Sequence, residues 1–578
     1  MAAVKPRYPT SAFLRPLVPN FYDVTVFILI IGILAGLAIG SGEMGRSLES
    51  LNQNPISLEP WRLLNYGLLT TLRMFAAMAA SLLFTFIVAT LAAKSRRAEL
   101  IIIPALDILQ SVPVLGFLSF TVLAFMNAFP GSEFGAELAA IFAIFTSQAW
   151  NMAFSFYQSL KTVPNDLSDA CRQFHLSPWR RFWRLEAPFA APGLIWNAMM
   201  SMSGGWFFVV ASEAISVGNI NINLPGIGSY LSMAIQQRDM AAVLWAVLAM
   251  AVLILLYDQL IFRPIVAWAD KFRMELTAGQ DAPRSWVFDL FRRTRALQWM
   301  WRALNRMMEG LQPKLQVKAL PQRRPISRFW SRIIDMVWLA VVVAALAWAA
   351  WIIVIYVRET LTWTDLLIAV KDGFYTLLRV IVLIAVATVI WVPIGVGIGL
   401  RPRLAQLVQP IAQFLAAFPA NVLFPIAVVF IAKYSLNPNI WLSPLMILGT
   451  QWYILFNVVA GASAFPNDLR EAAGLIGVKG RIWWLKVMLP GIFPYYITGA
   501  LTAAGGSWNA AIVAEVVSWG DTKLEASGLG SYIADATTAG DYPRVVLGIV
   551  VMCVIVTIFN RLVWRRLYAF AESRIQLN

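Results

Sequence analysis

The chain has 578 residues, of which 59% are apolar and only 13% charged. Soluble domains carry roughly 25% charged residues, so this composition excludes an ordinary soluble enzyme and points to the bilayer. With one histidine and two cysteines, Cys171 and Cys553, there is no disulfide framework and no metal-ligand spacing, and the placement of the +15 net charge favours an anionic membrane surface over nucleic acid.

Lys5, Arg7 and Arg15 precede an apolar run at 22–41 with no small-residue cleavage site after it, which predicts a retained first span. Runs near the 20 residues a crossing needs follow at 65–93, 100–126, 137–160, 189–217 and 241–262. Pro113 is a natural kink site in the third. Lys94, Arg96, Arg97, Arg180 and Arg181 crowd one set of loops, whereas Glu43, Glu49, Glu133 and Glu137 occupy the other. The positive-inside rule makes the first set cytoplasmic and places both termini inside. Polar residues deep in spans are costly and mark a solute path by default. Here they are Asp107, Gln110, Asn151, Ser203 and Trp206, with interhelical bonding as the commoner use of such groups. Glu213 lies seven residues after Trp206, on the same helical face, and precedes a loop containing Gly226 and Gly228. It is expected to anchor that loop or to receive a docking protein.

Residues 263–332 form a predicted cytoplasmic linker between a first membrane domain, 1–262, and a second, 333–578. Within the linker Val287, Leu290, Leu297, Trp301, Leu304 and Met308 recur at helical spacing among five arginines between Arg292 and Arg306. That pattern predicts one basic amphipathic helix lying on the inner leaflet. An extended tether is expected over 311–328.

The second domain repeats the first. Its spans are read at 333–356, 367–400, 404–432, 440–462, 491–519 and 543–563. At an offset of 302, Trp150 pairs with Trp452, Pro188 with Pro490, Trp206 with Trp508, Glu213 with Glu515 and Asp239 with Asp541. Upstream the offset is 306, pairing Gly67 with Gly373, Arg73 with Arg379, Pro104 with Pro410 and Pro113 with Pro419. An even number of spans per half makes this a parallel repeat, with a path between the halves. The path candidates of this half are Gln413, Asn421, Tyr453, Ser507, Trp508 and Asn509, and its outer loop carries Glu515, Gly528 and Gly530. The predicted fold is therefore an all-α membrane protein of twelve transmembrane helices in two tandem six-helix units.

Between the fourth and fifth spans of the second half, Asp468 and Glu471 read as a capping box that starts a short helix, and Gly477 as its stop. A basic stretch from Lys479 to Lys486 leads to Pro490 and Pro494, which are expected to open the next span. This helix–glycine–helix elbow, with small Ala472 and Ala473, suits close approach by a partner. Glu471-Ala472-Ala473, Gly477 and Leu489-Pro490 resemble the EAA motif of ABC importer permeases. Ser507 to Glu515, with the following Gly-Leu-Gly loop, is similar to the nitrate/sulfonate/taurine/bicarbonate branch. The resemblance covers roughly 60–270 and 367–575 and implies a type I importer fold. It also implies an elbow that docks on a separate ABC ATPase dimer carrying ATP-Mg, a solute-binding protein outside, and a small anionic or polar solute. The first elbow departs from the motif: it reads Asp169-Ala170-Cys171, has His175 in place of the glycine, and ends Glu186-Ala187-Pro188. The second elbow is thus expected to dominate coupling.

No G-x-x-x-x-G-K-[ST] segment occurs, so this chain is expected to bind no nucleotide by that route, no cofactor and no metal, and to have no catalytic residues of its own. A secondary carrier built on the same parallel repeat is the alternative. Its coupling would need buried ionisable groups, and Asp107 is the one clear candidate, with neutral Gln413 at the matching position.

Overall fold

Apolar runs of this length fold as helices because a helix satisfies its own backbone hydrogen bonds where no water is at hand. The computed structural model of the protein describes residues 56–111, 114–174, 176–217, 220–272, 285–294 and 328–574. The first half begins with α1 (Leu63–Lys94), α2 (Arg96–Ser111), α3 (Val114–Ala128) and α4 (Glu133–Lys161). It continues through a short α5 (Asn165–Gln173), a long α6 (Pro178–Glu213), a hairpin of β1 (Ala214–Val217) and β2 (Ile220–Asn223), α7 (Ile227–Gln236) and α8 (Met240–Ala269). A linker helix, α9 (Trp286–Arg293), follows.

The second half repeats this order after a leading helix whose first-half counterpart in sequence, 22–41, lies outside the described residues. It comprises α10 (Arg328–Thr360), α11 (Trp363–Gly399), α12 (Pro402–Ala417), α13 (Phe424–Lys433), α14 (Pro438–Ile447), α15 (Trp452–Ser463) and α16 (Asn467–Leu475). Then come α17 (Gly480–Ala514), the hairpin of β3 (Val516–Trp519) and β4 (Thr522–Glu525), α18 (Leu529–Ala539) and α19 (Tyr542–Ala571). In both hairpins the strands run antiparallel, pairing Ala214 with Asn223 and Val516 with Glu525.

Among the described residues eight helices are long and apolar enough to cross a membrane, or ten if each of two bent pairs is one span. The first bent pair falls in the span read at 404–432, where Pro419 is a natural kink site, and the second in the span read at 440–462. The α12–α13 pair turns by 76° and the α14–α15 pair by 44°. At the first break Phe418 and Pro419 are extended, because the residue before a proline is pushed out of the helical region. Pro113 and the run 22–41 lie outside the described residues.

The prolines after each elbow do not open a new helix as expected. α6 and α17 run unbroken through Pro188 and Pro490, each after a π-turn at Phe182–Glu186 and Trp483–Met488. A π-turn shifts the local bonding to i−5, which relieves the loss of a proline N–H and the clash of its ring. The basic limb of each elbow is therefore one rigid rod with the next span.

The linker also departs from expectation. α9 ends at Arg293, where Thr294 turns extended and its hydroxyl donates back to the Leu290 carbonyl at 2.8 Å. Val287 is buried, and α9 packs against the C-terminal end of α8. The remainder of the expected amphipathic helix and the tether, from 295 to 327, lies outside the described residues.

Two apolar cores form, one per half, and each recruits the other half's third span. Val114, Leu118 and Val122 of α3 lie in the second-half core, while Phe414, Phe418 and Val422 join the first. The packing of the two halves is thus reciprocal, as a repeat about one axis requires.

Candidate functional site: two elbows, an inner cavity and two buried arginine clusters

The elbows stand at matching places. In the second, α16 starts at Asn467 behind Pro466, which offers no capping side chain, so the expected Asp468–Glu471 capping box is not formed. Two residues of register separate the two readings: Asp468 sits inside the first turn, where its charge still faces the helix dipole. The stop is as expected of glycine. Gly477 holds φ +73°, its N–H donates to the Gly474 carbonyl and the Val478 N–H donates to the Ala473 carbonyl, closing a Schellman turn. Leu475 and Ile476 at its tip are 90% and 79% exposed, an apolar pair with no cover in this chain. Glu471 and Ala472 are exposed beside them, whereas Ala473 is buried and Pro490 is half-buried in the rod behind.

The first elbow makes the same outer bond, from the Leu176 N–H to the Cys171 carbonyl at 3.0 Å, although His175 itself lies outside the described residues. Phe174 is its exposed apolar tip. Asp169 is exposed and pairs with Arg172 at 3.1 Å, while Ala170 and Pro188 are half-buried.

The path candidates separate into three sets. Ser203, Trp206 and Gln413 line one cavity of about 310 Å³ between α6 and α8 of the first half and α12 of the second. There Trp206 stands edge-on to Tyr257 with ring centroids 5.6 Å apart, and the Gln413 amide donates to Asp258 at 3.4 Å. Asn421 and Asn509 join the halves. The Asn421 amide donates to the Phe207 carbonyl at 3.1 Å, and the Asn509 carbonyl oxygen accepts the Val114 N–H at 2.8 Å. Phe207 and Asn509 are repeat partners, as are Val114 and Ala420, so the two contacts are near mates across the axis. Asn151 bonds to Ser201 at 3.2 Å and Ser507 to Thr450 at 3.1 Å, both within a half. Tyr453 is half-buried, its carbonyl accepting from Asn457, and Trp508 is buried. Gln110 is exposed, and the side chain of Asp107 lies outside the described part.

At the outer ends Glu213 and Glu515 each hold a glycine loop. Glu213 accepts from the Gly228 N–H at 2.7 Å and from the Thr70 hydroxyl at 2.7 Å; Glu515 accepts from the Gly530 N–H at 2.7 Å and from Thr376 at 2.9 Å. A Cβ on Gly228 or Gly530 would collide with the carbonyl of Val210 or Ala511, and one on Gly226 or Gly528 with the glutamate itself. An arginine completes each cluster. Arg73 bonds Glu213 at 2.8 Å and grips Glu137 through two bonds of 2.7 and 2.6 Å, while Arg379 bonds Glu515 at 2.9 Å and Asn439 at 3.0 Å. Glu137 was expected as an exposed outer-loop anion, yet it is buried because Arg73 reaches it. Glu213 and Glu515 were expected as loop anchors, but the arginines, Glu137 and Asn439 were missed as site residues. The available signal was a cation repeated inside a span at one offset, Arg73 and Arg379.

The family of binding-protein-dependent transport system inner membrane components matches residues 81–263 and 373–576. Among curated relatives, the nitrate import permease protein NrtB of Leptolyngbya laminosa is 29% identical over 200 residues, 35% of this chain and 66% of the relative. The bicarbonate transport system permease protein CmpB of Synechococcus elongatus is 29% identical over 180 residues, 31% of this chain and 61% of the relative. A putative ABC transporter permease protein of Methanocaldococcus jannaschii is 24% identical over 148 residues, 26% of this chain and 54% of the relative. The chain thus spans less than two thirds of the length of these relatives, and each alignment covers between 26% and 35% of this chain.

Proposed function

The chain belongs to the family of binding-protein-dependent transport system inner membrane components, and from that membership we propose that it is the membrane-spanning permease subunit of an ATP-driven ABC importer in a bacterial inner membrane. Both halves of the pore reside in one polypeptide, with both termini cytoplasmic. The observation that carries the reading is the pair of exposed elbows, each a short helix closed by a 6→1 turn and fused rigidly to the next span. A free apolar tip on a rigid rod suits docking into a groove of a separate ATPase, whose ATP-Mg would supply the work. Asp169, Ala170, His175 and Pro188 form the first contact, and Glu471, Ala472, Ala473, Gly477 and Pro490 the second.

A solute-binding protein would deliver the cargo outside, where Glu213 and Glu515 hold the glycine loops. The similarity to nitrate and bicarbonate permeases supports a small anionic or polar solute, passed inward by alternating access between the halves. Co-purification tests the reading: the tagged chain should retain an ABC ATPase, and mutating the Walker lysine of that ATPase should abolish uptake. A chain that purifies without an ATPase and still transports would overturn it.

The two elbows are proposed to be unequal, because only the second carries the motif glycine. Charge reversal at Glu471 should lower solute-stimulated ATP hydrolysis more than reversal at Asp169. Equal losses would remove the inequality.

A further inference from the structure

The first elbow ends Leu185-Glu186-Ala187-Pro188 where the second ends Val487-Met488-Leu489-Pro490, so Glu186 stands where the second half has an apolar residue, and the structure gives that carboxylate a use. Glu186 is 5% exposed at the close of the π-turn, and two cations meet it. Arg181 Nε lies 2.8 Å from one carboxylate oxygen, and Lys94 Nζ lies 2.8 Å from the other. Arg181 belongs to the elbow's own rod, whereas Lys94 is the last residue of α1. Lys94 also lies 5.2 Å from the ring centroid of Phe182, which is buried in the same π-turn. The carboxylate is therefore a tie between the elbow and the span that ends beside it.

The repeat supplies the comparison. At the established offsets the partners of Lys94, Arg181 and Glu186 are Leu400, Trp483 and Met488. All three belong to the apolar core of the second half, with Met488 fully buried. One half thus joins elbow to span with a charged trio and the other with an apolar trio, at the same three places. A buried carboxylate is kept only when it is paired and hydrogen-bonded, so the trio stands or falls together.

We propose that Glu186, held by Lys94 and Arg181, is the positioning residue that ties the first ATPase-docking elbow to α1, doing by charge what Met488 does by packing in the second half. The proposal rests on the permease reading above. In it the first elbow, despite losing the motif glycine, keeps a stiff connection to the membrane. Docking on the ATPase belongs to the exposed tip, and transmission to the tie.

The test is permease-dependent ATP hydrolysis by the full chain, titrated with its co-purified ATPase, so that half-saturation reports docking and the maximal rate reports transmission. Lys94→Gln leaves Arg181 on Glu186 but cuts the link to α1. It should lower the maximal rate by about fivefold or more, the low end of coupling between distinct sites, with half-saturation unchanged. The triple variant Lys94→Leu, Arg181→Trp, Glu186→Met installs the second half's trio and should restore the rate. A maximal rate unchanged in Lys94→Gln, or a triple variant no better than it, would overturn the tie. Should Lys94→Gln fail to assemble, the triple variant and Glu186→Gln decide alone: a triple variant near wild type with Glu186→Gln impaired supports the proposal, and any other pairing refutes it. A wild-type chain that neither retains nor stimulates an ATPase would refute the permease reading instead, so the two failures are distinct.

Discussion

Glu137 and Asn439 occupy one position in the two halves, and they set the charge around each buried arginine. Arg73 meets two carboxylates and is wholly buried, whereas Arg379 meets one carboxylate and one amide and keeps 13% of its side chain exposed. Removing one partner from a buried ionic group strands the others at a cost of about 3–5 kcal/mol. Arg73→Met strands two anions and should lower the thermal unfolding midpoint of the purified protein sharply. Arg379→Met, stranding one anion near water, should lower it less. Glu137→Asn, which copies the second half, leaves Arg73 and Glu213 balanced and should cost less than either. Equal midpoints for the two methionine variants would mean that the count of stranded charges does not set the loss.

The elbow shows what a sequence can and cannot state about an element. Gly477 was legible as a stop because few residues other than glycine accept φ +73°, and the backbone adopts it. Gly477→Ala should cost the turn about 1 kcal/mol, read as faster limited proteolysis between Ile476 and Lys479 and weaker retention of the ATPase. Unaltered proteolysis would show that the tip is held by something other than its own turn. The start was read two residues late, since proline and aspartate both mark first turns and only the backbone decides between them. The kinked third span of the second half was legible at Pro419. The π-turns before Pro188 and Pro490 were not, because no residue type announces an i−5 bond. The arginine clusters escaped because Glu137 looks like any outer-loop acid until Arg73, 64 residues away in sequence, is seen to reach it. The break at Thr294 was not legible because helical spacing persists in the sequence past it, although the backbone leaves the helix there.

On the scale of the whole molecule the repeat was the clearest signal, since one offset carries the prolines, tryptophans and glutamates of both halves. The contacts between the halves were less legible, because they depend on which face of each span turns inward. Each outer hairpin crosses to the other half: β1 lies against α18, and β3 against α7. The Gly520 N–H donates to the Ile235 carbonyl at 3.0 Å, Arg238 meets Asp521 at 2.8 Å, and Trp519 packs against both cores. The ion pair is open to solvent, with Asp521 fully exposed, and adds little, so the crossing depends on backbone pairing and on the tryptophan. Two polypeptides that each carry a hand for the other's shoulder need no thread between them. A chain severed between Phe272 and Ser285 and produced as two separate pieces should still co-purify as one particle, because recognition is written into the folded halves and the covalent joint sets only their one-to-one ratio.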